Sequence, residues 1–232
     1  RTSSSYADMR GAKVVNRKWS AWLMICPLIL VLSVMASAQM HTDDFFYSDF
    51  DVYLDDKKVG KHQFQVSDMD GAKLVQSDAS FKYKILFFTA YRYEHSAAEC
   101  WADNCLVKFD ATTNSNGDRI SVSGEQTGDG FVEDSGDSPI VLPACVMTFA
   151  YWNAEFINQS RLLNPQTGEY LDVRVEKVGD EIREILGQQI VATLFRLTAL
   201  EVDLTFWYSS TNEWLGLESV VKGGRIIRYE LS

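Results

Sequence analysis

The chain has 232 residues, and its 22 Lys and Arg against 32 Asp and Glu give a formal net charge of −10 at pH 7. This acidity argues against a nucleic-acid-binding protein, because phosphates need a basic surface, and against electrostatic attachment to anionic lipid. An acidic surface keeps a domain soluble, but it identifies no partner.

The N-terminal segment 9–38 has the three parts of a secretory signal peptide. Four basic residues lie within residues 9–18, an apolar run follows from Trp22 to Met35, and Ala36-Ser37-Ala38 supplies small residues for cleavage. The apolar run, about 14 residues, is shorter than the roughly 20 that span a bilayer. We therefore expect Sec-type export, cleavage after Ala38 and a periplasmic or secreted domain over 39–232. Residues 1–8 are interpreted as an upstream extension, and no transmembrane span is expected after leader removal.

The cysteines predict one disulfide. Cys26 leaves with the leader, and Ile25 before it does not fit a lipoprotein signal, so Cys100, Cys105 and Cys145 remain. An oxidising compartment favours a bridge, and three cysteines allow one bridge and one free thiol. We favour Cys105–Cys145 over Cys100–Cys105, because closing the longer loop restricts the unfolded chain more. The cysteine and histidine spacings do not fit a metal site, so we expect no metal and no cofactor.

After the leader, apolar and polar residues alternate in short runs, which is typical of half-buried strands. The clearest apolar sets are Phe50, Val52 and Leu54, then His62, Phe64 and Val66, then Phe81, Tyr83 and Ile85, then Tyr91, Tyr93 and His95, then Leu171, Val173 and Val175, then Leu204, Phe206 and Tyr208, then Ile227, Tyr229 and Leu231. Polar turn sequences separate these runs. About ten strands at hairpin spacing predict one curved antiparallel sheet.

One segment breaks the strand pattern. Ala144–Asn158 follows Pro143, and Phe149, Trp152 and Phe156 lie at i, i+3 and i+7, so a helix with one apolar face is expected near 144–158. The sequence therefore predicts an all-β fold with minor α content. Its single antiparallel sheet should form a barrel or half-barrel, because curling reduces exposed edges.

Several short clusters form a wider pattern. They are Phe50–Leu54 with Val59-Gly60, Tyr91–His95, Glu99–Trp101 leading to Cys105-Leu106, Leu142–Cys145 into Phe149–Trp152, Leu163–Gly168, and Trp207-Tyr208 with Trp214 and Gly224-Arg225. The pattern resembles an uncharacterised exported bacterial family, domain of unknown function 6134 (DUF6134), over most of the mature chain. This resemblance implies an exported all-β domain and brings no activity or catalytic residues. It also implies that Cys105 and Cys145 are the recurring cysteine pair.

The candidate catalytic residues are His95 and Glu99. A strand histidine near a carboxylate can act as a general base, which suggests a hydrolase, but a hydrogen-bonded histidine at a strand end explains the residue equally simply. The sequence has no Gly-x-Ser-x-Gly elbow and no Ser or Cys in a recognisable nucleophile setting. An enzymatic activity is therefore the less favoured interpretation.

Aromatic residues from several elements suggest a binding cavity. We expect the cavity to be lined by Tyr93, His95, Trp101, Tyr151, Trp152 and Trp207. Trp and Tyr combine apolar area with a polar group, which suits ordinary core corners and also the wall of an apolar cavity. The favoured hypothesis is a non-catalytic domain that binds an apolar or amphipathic small molecule or lipid, with the 144–158 helix as a plug or lid.

The alternative is an envelope interaction or scaffold protein. Asp43-Asp44-Phe45-Phe46-Tyr47 places three aromatic residues just after the expected cleavage site. Such a segment can be an edge strand packed on its own sheet or a surface that contacts an envelope protein.

Overall fold

The computed structural model describes residues 45–69, 71–85, 88–136, 138–200, 202–221 and 223–232. The expected signal peptide, its cleavage site and Asp43-Asp44 lie outside these residues. In the first half the strands are β1 Phe45–Leu54, β2 Lys57–Met69, β3 Ala72–Ile85, β4 Phe88–Ala102, β5 Cys105–Ser115, β6 Asp118–Thr127, β7 Gly130–Asp134 and β8 Ile140–Leu142. Next come a 3-10 helix Ala154–Asn158, β9 Arg161–Leu163, β10 Tyr170–Asp172, β11 Arg174–Ile185, β12 Gln188–Thr198, β13 Asp203–Tyr208, β14 Trp214–Val221 and β15 Arg225–Leu231.

Thirteen of these strands form one antiparallel sheet, in the order β11-β12-β13-β14-β15-β1-β2-β3-β4-β5-β6-β7-β8. Most neighbours follow each other in the chain, and β1 joins β15 through a register that sets Phe50 opposite Leu231. β9 and β10 form a separate hairpin. No ladder in the described part of the chain connects the end strands β11 and β8. The sheet is therefore open, which confirms the predicted all-β fold in its half-barrel form.

The alternation of side chains decides which face of the sheet is buried. In β3, Val75, Ala79 and Phe81 are buried, whereas Gln76 and Ser80 between them are exposed. Successive side chains of a strand point to opposite faces, so the odd-numbered residues of β3 line the inner face. Strands on both sides of β1 contribute to one core cluster, which places the concave face of the curved sheet on the inside.

The connection from β8 to β11, residues 143–173, covers part of this concave face and is called the interior segment. Its residues Phe156, Leu162 and Leu163 have no exposed side-chain surface. Leu106 N–H donates to Val146 O at 3.0 Å, which attaches the segment to β5. The segment therefore supplies much of the core that a single curved sheet cannot make alone.

The helix predicted over 144–158 is confined to Ala154–Asn158 and is a 3-10 helix. Asn153 ends the preceding irregular chain and its side chain accepts from Glu155 N–H at 3.1 Å. Upstream, Thr148 forms a bridge with Leu163, so the backbone there pairs with another extended segment. The spacing of Phe149, Trp152 and Phe156 suggested a longer helix. In the structure, most of this segment is irregular chain whose apolar side chains pack in different directions. Among the described residues, no helix has the length and apolar character to cross a bilayer.

The predicted Cys105–Cys145 disulfide is confirmed, and Cys100 is a free thiol. The bridge joins residues 40 apart and fixes the start of the interior segment to the first residue of β5. Trp101, which is 1% exposed, lies at the end of β4, just before the turn that leads to this attachment point. The disulfide therefore holds the interior segment against the end of the β4–β5 hairpin.

Candidate functional site

A cavity of about 230 Å³ lies between the concave face of the sheet and the interior segment. Strands β2, β3 and β4 form one wall. A second wall comes from β13, β14 and β15 and from Val202 just before β13. The interior segment contributes residues 148–152 and 164–166. The lining is mostly apolar, with a few polar side chains. The volume is many times the 10–15 Å³ or so that one water molecule needs. The interior segment therefore leaves part of the concave face unfilled.

His62 of β2 lies in this cavity within a hydrogen-bonded group. Its Nε2 is 2.7 Å from Ser77 Oγ and its Nδ1 is 3.3 Å from the Tyr229 hydroxyl. Burial lowers the pKa of His62 to about 3, and the neighbouring His95 acts in the same direction. His62 is therefore a neutral imidazole that can hydrogen-bond but carries no charge near pH 7.

His95 and Tyr93 of β4 form the adjacent part of the wall. His95 Nδ1 is 2.9 Å from Thr113 Oγ1 on β5, and burial lowers the pKa of His95 to about 4. Tyr93 stacks on Phe81 with ring centroids 5.2 Å apart, and burial raises the pKa of its hydroxyl. Both groups are therefore uncharged near neutral pH.

Glu99 is the carboxylate that lines the cavity. Trp101 Nε1 donates to Glu99 Oε2 at 2.9 Å. Burial raises the pKa of Glu99 to about 7, although hydrogen bonds from Trp101 and Thr148 favour its charged form. Glu99 lines the cavity, where the hydrogen bond from Trp101 holds its carboxylate.

Tyr151 and Trp152 bring the interior segment to the cavity. Tyr151 stacks on Trp214 at 4.9 Å, and its backbone oxygen accepts from the Tyr208 hydroxyl at 2.7 Å. Trp152 meets Trp101 edge to face at 5.5 Å. The Nε1 of Trp152 is buried and has no acceptor among the described residues. A buried N–H without an acceptor costs about 1–3 kcal/mol, so the position of this ring carries a local cost within the interior segment.

The Asn164–Gly168 turn forms the remaining edge of the cavity. Asn164 O accepts from Gly168 N–H at 2.9 Å, and the Asn164 side chain accepts from Gln166 N–H at 2.9 Å. Gly168 has φ +79, and a Cβ there would lie 2.3 Å from Glu133 Oε1. The turn therefore requires glycine for its backbone conformation and for its contact with β7, while Asn164, Pro165 and Gln166 face the cavity.

The model of the family described as "Domain of unknown function (DUF6134)" matches residues 50–232. The chain belongs to this family. No curated protein shows significant similarity to it. Among solved structures, this DUF6134 chain is similar to the "Crystal Structure of Beta-barrel-like Protein of Domain of Unknown Function DUF1849 from Brucella abortus", with 8% identity and a TM-score of 0.60. The match covers 80% of this chain and 94% of the other, and at that identity it shows a shared fold alone.

The DUF6134 fold brings together most of the side chains that the sequence suggested for a cavity. Tyr93, His95, Tyr151 and Trp152 line it, and Glu99 lies beside them. The expected position of Trp101 is wrong, because this residue is enclosed in the core behind Glu99 and Trp152 and is not part of the lining.

Trp207 also lies away from the cavity, which corrects the prediction for this residue. It packs in a separate cluster with Ala192 and Leu215. The Arg183 guanidinium covers its ring at 3.8 Å, and its Nε1 donates to Glu181 at 2.7 Å. The neighbours of Trp207 in β13, Phe206 and Tyr208, are in the main core, so strand alternation turns Trp207 to the other face.

The hydrogen-bonded group of His62, Ser77 and Tyr229 is among the cavity residues that the sequence analysis did not predict for the cavity. His62 alternates with Phe64 and Val66, and that pattern already places it on the inner face of β2. The pairing with Ser77 and Tyr229 depends on strand order, which joins residues 167 positions apart. Alternation could have found His62, but it could not have found its partners.

The polar groups are better arranged for hydrogen bonding than for catalysis. Ser77 and His62 are close enough to act as a nucleophile and its base, but an imidazole with a pKa of about 3 is a weak base at neutral pH. The hydroxyl of Tyr229, rather than a carboxylate, lies at the other ring nitrogen. His95 and Glu99 contact Thr113 and Trp101 respectively. Within the described ranges, no group of three or more His, Cys, Asp or Glu side chains is placed to hold a metal ion.

Proposed function

We propose that this DUF6134 protein is an exported, non-catalytic binding domain whose cavity holds a small amphipathic molecule. The observation that carries the proposal is a mostly apolar cavity with a few inward polar side chains on a rigid sheet. Ligand sites in proteins commonly have this composition, with the apolar lining providing affinity and the polar groups providing orientation.

The apolar part of the lining supports burial of a hydrocarbon or ring system. Phe64, Val75, Leu204 and Leu217 come from both walls of the cavity. Each buried CH₂ group of a ligand contributes about 0.8 kcal/mol before the cost of association. A chain of about eight carbons would therefore supply enough free energy for measurable binding.

The polar part of the lining supports an amphipathic ligand over a purely apolar one. The polar lining groups include the Glu99 carboxylate and the hydrogen-bonded side chains of His62 and Tyr229. A ligand that carries a polar head can contact these groups while its apolar body occupies the remaining volume.

Two features support export. Segment 9–38 has the composition of a signal peptide, and the Cys105–Cys145 disulfide is typical of proteins in an oxidising compartment. Native mass spectrometry of the protein purified from its own envelope would test this. We expect the mass of a chain that begins at Gln39, with one disulfide and a bound small molecule. A retained leader would contradict the export proposal.

Binding is tested by titrating n-octanol and following tryptophan fluorescence, because Trp152 lines the cavity. The variant Ala97→Leu adds volume on a buried cavity residue, and we expect at least a tenfold loss of affinity. The matched control Ala98→Leu adds the same atoms on the exposed face of β4 and should bind as the wild type does. Absence of octanol binding, or unchanged binding by Ala97→Leu, would refute the proposal.

A second candidate function, contact with an envelope protein, is favoured by the start of β1. Phe46 and Tyr47 are 42% and 50% exposed. β15 pairs with β1 only from Phe50 onward, and Ser232 N–H bonds to Asp49 O, so residues 45–48 have one side without a partner strand in the described chain. Cross-linking in envelope extracts, compared between the wild type and the double variant Phe46→Ser/Tyr47→Ser, distinguishes this function from small-molecule binding. A protein partner lost only in the variant would support it.

A further inference from the structure

Among the side chains that the structure describes, those lining the cavity include one carboxylate and no permanently charged base. Among the described residues that line it, none is Lys or Arg. Its two histidines, His62 and His95, are neutral near pH 7 because burial lowers the pKa of each. Glu99 is therefore the only lining group of the described chain that can carry charge near neutral pH. An anionic ligand would meet this carboxylate without a compensating cation.

Aromatic rings surround the same space. Those that line it are Phe64, Tyr93, Phe149, Tyr151, Trp152 and Tyr229. The faces of aromatic rings are electronegative and attract organic cations, most strongly where water is excluded. A carboxylate combined with several aromatic rings is a suitable environment for an amine head group.

We propose that the amphipathic molecule held by this cavity carries a protonated amine, which pairs with Glu99 while its apolar body lies against the aromatic lining. This inference rests on the proposed binding function and names the class of ligand. The ammonium group supplies the cationic partner that Glu99 lacks among the described lining residues. The acidic chain, with a formal charge of −10, also raises the local concentration of cations.

The other titratable lining groups do not interfere with a test near neutral pH. They are His62 on β2, Tyr93 and His95 on β4, Tyr151 on the interior segment and Tyr229 on β15. Burial lowers the pKa of both histidines and raises the pKa of all three tyrosines. Between pH 6 and 8 their charges stay constant, and Glu99 with its pKa of about 7 changes from mostly protonated to mostly ionised.

The test compares three eight-carbon probes: n-octylammonium, n-octanol and octanoate. We expect the full-length protein to bind octylammonium about tenfold more tightly at pH 8 than at pH 6, because only the ionised fraction of Glu99 is competent. Octylammonium stays protonated over this range, as a lysine ammonium does. Octanol should bind equally at both values, and octanoate should bind more weakly than either of the others at pH 8.

Glu99→Gln keeps the shape of the side chain and an oxygen acceptor for Trp101. We expect it to bind octylammonium at least tenfold more weakly at pH 8, without pH dependence, and octanol within twofold of wild type. The matched control Glu94→Gln removes a carboxylate from an exposed position on the same strand and should behave as wild type. If Glu99→Gln does not fold, the wild type provides the same information. Octylammonium binding near pH 6.5 should release a proton from Glu99, and calorimetry in two buffers with different ionisation enthalpies measures this release.

The outcomes separate the two proposals. Octanol binding without a preference for octylammonium, or an octylammonium affinity that does not change with pH, would overturn the amine proposal and leave the binding function standing. Failure of all three probes to bind would overturn the binding function itself. Tightest binding by octanoate would also overturn the amine proposal.

Discussion

The concave face of the sheet has two parts that are built differently. Where the interior segment meets β13, Phe156 and Phe206 are fully buried and their ring centroids lie 5.1 Å apart. Where the segment meets β2–β4, the face carries His62, His95 and Glu99 and a cavity remains. The first part has the composition of an ordinary core, and the second has polar groups that an ordinary core avoids.

This difference indicates that the cavity is not simply a packing defect. Voids that stay empty in protein interiors are typically lined by apolar side chains. Here polar groups come from separate strands: His62 from β2, Ser77 from β3 and Tyr229 from β15 meet in one hydrogen-bonded group. The same sheet thus combines a filled apolar region with a region that keeps open volume and polar side chains.

The largest effect should come from the filled region. Phe156→Ala removes a ring with no exposed surface that contacts Tyr151, Phe206 and Tyr208. The free energy of unfolding should fall by about 3–5 kcal/mol, because the substitution loses apolar burial and leaves a cavity. Urea denaturation followed by circular dichroism measures the change.

The matched comparison is Phe149→Ala in the cavity region. Phe149 is partly exposed and already borders open volume, so its removal should cost only about 1 kcal/mol. If both variants lost the same free energy of unfolding, the distinction between the two regions would not hold.

A somewhat smaller loss is expected when the interior segment is released from β5. Replacing Cys105 and Cys145 together by Ala should lower the free energy of unfolding by about 2–4 kcal/mol, because the bridge closes a loop between residues 40 apart. Cys100→Ala, which removes the free thiol, serves as the control and should change stability by less than about 1 kcal/mol. Octanol binding by the double variant should weaken too, since Tyr151 and Trp152 follow Cys145 closely. Unaltered stability on reduction of the bridge would argue that the segment is held by packing alone.

The sequence was sufficient for the fold class and insufficient for the interior segment. The alternation of apolar and polar residues is a local property of each strand. Runs such as Phe50, Val52 and Leu54 were therefore recognisable without knowing which strands pair with them. Residues 144–153 were assigned to a helix, because their aromatic spacing fits a helical face. In the structure, that spacing reflects burial against β5, β9 and the sheet, which are distant contacts that no local pattern can encode.

The same limit applied to the candidate site. Tyr93 and His95 were placed correctly on one face of one strand, because their spacing of two residues fixes it. Trp207 was placed in the cavity because tryptophan suits either a core or a site, although its alternation with Phe206 and Tyr208 already set it on the opposite face. Ser77 has no distinguishing context in the sequence, and only its distance of 2.7 Å from His62 Nε2 identifies it.

A further effect should be a pH dependence that is confined to the cavity region. Burial raises the pKa of Glu99 to about 7 in the folded protein from 4.5, so the folded state binds this proton more tightly than the unfolded state does. The stabilisation is complete below pH 4.5 and is lost as the pH rises through 7. The wild type should therefore lose roughly 2 kcal/mol of unfolding free energy relative to Glu99→Gln between pH 4.5 and 8. This estimate allows for the partial exposure of Glu99, since a tenfold change in proton affinity corresponds to about 1.4 kcal/mol.

His62 and His95 act in the opposite direction, because burial lowers the pKa of each and their contribution is lost as the pH falls below 6.5. Both histidines are present in the wild type and in Glu99→Gln, so their effect cancels when the two unfolding curves are subtracted at each pH. Glu94→Gln, on the exposed face of β4, should track the wild type throughout. A difference between wild type and Glu99→Gln that stays constant from pH 4.5 to 8 would mean that Glu99 is solvated like a surface carboxylate. Ionisation of Glu99 would then carry no desolvation cost, and the argument for a cationic ligand would lose its basis.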